Sequence, residues 1–89
     1  MLYMITYDLY RPQQNYAGLF AAIQAEGATL RCLQSVWLLQ TNTNVNILQT
    51  RLNTYIDRND RILVVDITQR PRNGWMNRNV WAWMQQHDV

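Results

Sequence analysis

Hydrophobic and polar positions alternate from Leu2 to Leu9, which predicts a strand. Tyr3, Ile5, Tyr7 and Leu9 point one way, and Leu2, Met4, Thr6 and Asp8 point the other. The first set suits burial beneath helices, whereas the mixed second set suits an open or partner-covered face. Arg11-Pro12 ends the strand, because proline offers no ladder donor. The period then changes. Tyr16, Leu19, Phe20 and Ile23 fall on one helical face, with Asn15 as the expected N-cap and Gly27 at the C′ position. Ala28 to Thr41 reads as two strands, Thr29 to Gln34 and Val36 to Gln40, joined by a tight turn or bulge near Ser35. A second helix follows, capped by Thr43 or Asn44, with Val45, Leu48, Leu52, Tyr55 and Ile56 as its apolar stripe. Asp57 to Asp60 turn the chain into its most apolar run, Ile62 to Ile67, the fourth strand.

This order, βαββαβ, predicts an α+β domain of the ferredoxin-like, split βαβ arrangement: a four-stranded antiparallel sheet with two helices on one face. The first and third strands are expected at its centre. The core is expected over residues 1–67, and residues 68–89 read as a Trp-rich C-terminal extension. There the loop Gln69 to Gly74 leads into Trp75, Met76, Val80, Trp81, Trp83 and Met84, with a short third helix expected over Asn77 to Gln86.

At 89 residues the chain is expected to be one domain. A domain of this size buries only roughly 60–65% of its unfolded surface, so a helix-free apolar sheet face predicts a homodimer. No apolar run reaches the ~18 residues of a membrane span, and Met1 leads straight into the first strand, so neither a membrane partner nor a secretory signal is expected. The single cysteine, Cys32, fits a reducing cytoplasm and a packing role. All eight basic residues are arginine, and the net charge is only +2. That usage suits phosphate contact, with a compositional bias as the plainer reading.

Asp8 is the leading site candidate. A carboxylate at a strand end can hold Mg²⁺, provided a two-fold axis brings two Asp8 residues together. Alternatively it accepts hydrogen bonds from the Tyr10–Gln14 turn and merely stops the strand. Asp66 occupies a similar place late in the fourth strand, where it serves as a second open-face carboxylate or as an edge-strand charge. Arg11, Arg31, Arg70 and Arg72 are candidates for nucleic-acid phosphates, with solvated surface charge as the alternative for each. His87 has no local partner and receives no role. The tryptophans of the tail either stack nucleobases beside Arg70, Arg72 and Arg78 or pack on the sheet or on a second chain.

Three segments carry a resemblance. Ile5-Thr6-Tyr7-Asp8-Leu9, Gln34-Ser35-Val36-Trp37-Leu38 and Ile56-Asp57-Arg58-Asn59-Asp60-Arg61-Ile62 resemble, in that order, short SinR-like proteins. These belong to the superfamily of the second CRISPR-associated adaptation protein. Virulence-associated protein D, a ribonuclease toxin, is similar over the opening strand. The resemblance implies a ferredoxin-like fold, a symmetric dimer and a metal-dependent nuclease role for the aspartate matching Asp8. The segment after Asp8 departs from the family in offering only Arg11 where basic residues usually run, and the Trp-rich tail replaces a fifth strand. Three functions follow as expectations: a dimeric adaptation-like protein that binds nucleic acid, a Mg²⁺-dependent nuclease of toxin type, or a non-catalytic module that binds a protein partner.

Overall fold

The computed structural model describes residues 1–11 and 16–89. In chain order these form β1 (Leu2–Asp8), α1 (Ala17–Ala25), β2 (Ala28–Leu33), β3 (Val36–Gln40), α2 (Val45–Asn53), β4 (Arg61–Asp66) and α3 (Arg78–His87). The strands make one antiparallel sheet of order β2-β3-β1-β4, with β1 and β3 central. The described residues thus form an α+β fold, with an open four-stranded sheet and three helices.

Strand alternation sorts the side chains as expected. Tyr3, Ile5 and Tyr7 of β1 join Trp37 and Leu39 of β3 beneath Leu19 and Ile23 of α1 and Leu48 and Leu52 of α2. Asn15, the expected cap of α1, lies outside the described residues; Tyr16 holds the N-cap position and gives no side-chain cap. Asn44 caps α2, its Oδ1 accepting from the Asn46 amide at 2.8 Å. Because α2 stops at Asn53, Tyr55 falls outside the apolar stripe assigned to it and is exposed.

Gly27 follows α1 without a positive φ. Its reason is close approach: a Cβ there would sit 2.2 Å from the Gln40 carbonyl oxygen of β3. The β2 strand begins and ends one residue earlier than expected, and its bulge lies between Arg31 and Leu33.

The second sheet face is not helix-free. Val80 and Met84 of α3 are buried against Leu2 and Leu38, with Met4, Leu30, Cys32, Trp81 and Trp83 packed around them. The i, i+4 spacing of Val80 and Met84 gives α3 an apolar stripe that the exposed face of β1 and β3 can bury. The C-terminal end is tied down as well. Arg72 pairs with Asp88 at 3.1 Å and donates to the Ile67 carbonyl, while the Gln69 amide donates to Asp88 at 2.7 Å. Gln69 adopts a left-handed φ of 55° in making this turn. Coverage is partial, and Leu33 and Leu63 remain exposed at 53% and 57%. Among the described residues, no helix is long and apolar enough to cross a membrane.

Candidate functional site: the groove at the end of β1

Asp8 is the last residue of β1 and is exposed. Its Cα partner in β4 is Arg61, which lies on the same sheet face. Arg61 does not pair with it. The Arg61 guanidinium instead donates to the carbonyls of Asp60 at 2.9 Å and Arg58 at 3.2 Å. No hydrogen bond or ion pair joins the Asp8 carboxylate to any described residue.

Residues 12–14 of the turn considered for Asp8 lie outside the described residues, and the Tyr10 amide donates instead to Asp60. This buried carboxylate accepts from the Tyr10 amide at 2.7 Å, the Asp57 amide at 2.7 Å and the Tyr16 hydroxyl at 3.0 Å. Burial pushes the Asp60 carboxyl up, but those three donors and the Arg11 charge outweigh it and hold it below the usual carboxylate range. Burial and the bond to Asp60 push the Tyr16 phenol up.

Beside Asp8 opens a groove of about 370 Å³, lined by Tyr7, Asp8, Leu9, Tyr16, Phe20, Arg31, Gln34 and Ser35. Its floor is aromatic. Phe20 of α1 lies 5.8 Å from Trp37 at 30° and 5.9 Å from Tyr7 at 31°, and the Trp37 indole donates to the Tyr7 hydroxyl at 3.1 Å. The Arg31 guanidinium sits 4.7 Å above the Phe20 ring centre and 5.7 Å from that of Trp37. Its Nε and Nη2 both donate to the Gln34 carbonyl, at 3.0 and 2.6 Å. The plane of Arg31 is therefore fixed before any ligand arrives. A second hollow of about 230 Å³, lined by Asp8, Arg61 and Leu63 among others, lies on the opposite side of Asp8.

The candidate residues divide between two ends of the sheet. Asp8 and Arg31 share the groove, and Arg11 stands close enough to Asp60 to stabilise its charge. Arg70 and Arg72 lie beyond β4 at the far end, roughly 20 Å away by strand length. Arg72 is committed there to Asp88, to the Ile67 and Arg70 carbonyls and to the Met84 sulfur. Asp66 does not share a face with Asp8. It pairs in register with Tyr3 at the opposite end of β1, on the other face, and accepts from the Thr68 hydroxyl and amide. Those two bonds hold its carboxyl below the usual range. Cys32 donates to the Val36 carbonyl and packs against the cluster around Leu2 and Leu38, and burial pushes its thiol up. His87 stacks on Trp83 at 4.1 Å.

Sequence reasoning missed Phe20, Gln34, Arg58, Arg61 and Asp60 as members of this end of the molecule. Register alone sets Arg61 opposite Asp8, and register is not readable from either strand separately. For Asp60 the signal was an acidic residue directly before the clearest strand. Among the described residues no three His, Cys, Asp or Glu side chains meet in a cluster that could hold a metal. Compared with known proteins, the chain matches no family model, no curated protein and no solved structure.

Proposed function

We propose that the protein binds single-stranded nucleic acid at the Asp8 end of the sheet and acts as a homodimer without a catalytic step of its own. The observation that carries this reading is the groove itself: a fixed Arg31 guanidinium on an aromatic floor, beside a carboxylate that has no partner among the described residues. Arg11, Arg58 and Arg61 are exposed around the same end. Bases meeting aromatic and guanidinium planes, with arginines tracking the backbone, is how single strands are held without a duplex.

The dimer rests on Leu33, Leu63 and the fully exposed Trp75, which α3 leaves uncovered. The element order, with β1 lying between β3 and β4 and β3 between β1 and β2, supports a ferredoxin-like arrangement extended by α3. The likeness to the CRISPR adaptation family belongs to this proposal, and its support is Tyr7-Asp8-Leu9 closing a central strand. A Mg²⁺-dependent nuclease is the second reading. It is favoured by Asp8 having no partner among the described residues and requires the partner's Asp8 to complete the metal site.

Fluorescence anisotropy with labelled single- and double-stranded RNA and DNA tests the proposal. Single strands should bind, and Arg11→Gln with Arg61→Gln should weaken binding and make the salt slope shallower by about one for each phosphate that is no longer neutralised. Arg70→Gln with Arg78→Gln should leave both nearly unchanged. Absence of binding to any strand at low salt would contradict the reading. Cleavage that needs Mg²⁺ and disappears in Asp8→Asn would replace it with the nuclease.

A further inference from the structure

We infer that Trp75 of each protomer enters an apolar hollow under the C-terminal extension of the other, so that two reciprocal indole contacts lock the homodimer. This rests on the homodimer reading above and deepens it by naming the contact.

The hollow lies between the second sheet face and the extension. Met4, Val36 and Leu38 form its floor, and Met76, Trp81 and Met84 its roof. It measures about 220 Å³. An engineered cavity of about 150 Å³ admits benzene, so this one has room for a single indole, and it falls short of the roughly 300–1,000 Å³ that drug-sized ligands occupy. Leu33 stands on its margin and is 53% exposed, so the hollow reaches the surface beside the apolar patch assigned to the dimer. Arg70 and Arg72 line it as well, and a cation at the wall of an apolar hollow favours an aromatic occupant over an aliphatic one. Asn73 adds an amide oxygen that takes one bond from the Gly74 amide and keeps a second lone pair for an indole N–H.

Trp75 is the occupant the chain itself supplies. Its side chain is fully exposed, at 101%. Burying an aromatic side chain removes about 150–250 Å² from water, and within one chain none of that is gained here. Asn73 and Met76, on either side of Trp75 in sequence, both line the hollow, whereas Trp75 does not; the backbone turns this one ring away from its own hollow. Knob and hollow are therefore neighbours on one surface. That adjacency decides how the contact closes. With the two side by side, one two-fold axis between them satisfies both contacts and assembly ends at two chains. Set far apart, they would make an open head-to-tail array. The two indoles then act as anchors within the larger contact that Leu33 and Leu63 supply.

Light scattering over a dilution series, paired with the rate at which a soluble maleimide alkylates Cys32, tests the contact. Cys32 lines the hollow and is the one thiol of the chain. The wild type should be a dimer at micromolar concentration, with Cys32 slow to react. Trp75→Ala should raise the dimer dissociation constant by about thirtyfold or more, the effect of a hot-spot residue, and Cys32 should react several-fold faster. Circular dichroism should stay that of the wild type, because Trp75 is fully solvated within its own chain. Trp75→Phe, which keeps a ring, should restore most of both effects. A Trp75→Ala variant that dimerises as the wild type does would overturn the inference and leave the homodimer reading on Leu33 and Leu63 standing. Lost dimerisation with Cys32 equally reactive in the wild-type dimer and the variant monomer would also overturn it, setting Trp75 against some other surface. A monomeric wild type would overturn both the contact and the homodimer.

Discussion

Single residues explain the most about the Asp8 end, and Asp60 explains more of it than Asp8. Its carboxylate gathers Tyr10, Tyr16 and Asp57 from separate parts of the chain. Asp60→Ala leaves those donors unsatisfied, and urea denaturation should show a loss of about 1–3 kcal/mol. Its acidity gives a second prediction. The folded carboxyl is held below its unfolded value of about 3.9. The stability it contributes is therefore fully present above that value and is lost as pH falls through the folded one. Stability measured from pH 6 to pH 2 should decline on this acid limb, and Asp60→Asn should flatten the decline. Asp66 is shifted in the same direction and will leave a residual slope. Gly27 is a third sensitive point. Gly27→Ala forces a Cβ toward the backbone oxygen of Gln40, where no flexible side chain can give way. Overpacking of that kind costs about 1–3 kcal/mol. The sequence marks Gly27 as a special position but misreads its reason. Which donors reach a carboxylate, and which carbonyl crowds a glycine, are set by segments distant along the chain.

Among the elements, the strands and the first two helices are legible because each carries an unbroken period. Tyr3, Ile5 and Tyr7 sit on the buried face their alternation predicts. Helix ends are less legible: the apolar spacing runs on through Tyr55, but α2 has already ended at Asn53. The third helix is visible in sequence, one residue off at each end, while its destination is not. Nothing local states that Val80 and Met84 will cover the second sheet face, since packing on a partner would give the same pattern. The structure makes Met84 the anchor, 7% exposed, and leaves Trp83 half-buried against His87. Met84→Ala should therefore destabilise the domain by about 2–5 kcal/mol. Trp83→Ala should cost less, because that ring is only partly buried and packs at the edge of the cluster. Thermal melts of the two variants side by side check the order, and a larger loss for Trp83 would mean that its ring is buried against a second chain.

The whole molecule is a sheet with one face fully roofed and the other roofed at one end. The Asp8 end carries the groove and the exposed arginines, and the far end carries the Arg72–Asp88 clamp. Leu33 and Leu63, the uncovered part of the second face, are the surface on which the proposed homodimer depends. Light scattering should return twice the chain mass at micromolar concentration, and Leu63→Asp should return the monomer mass with the fold intact. The most direct test of the groove as a binding site is an NMR titration of the isotope-labelled protein with a single-stranded pentanucleotide. Amide shifts should concentrate at Tyr7, Asp8, Phe20, Arg31, Gln34 and Ser35, with Arg11 and Arg61 at the margin. Shifts confined to the α3 side of the sheet, around Met76, Trp81 and Arg70, or no shifts at all, would contradict the assignment.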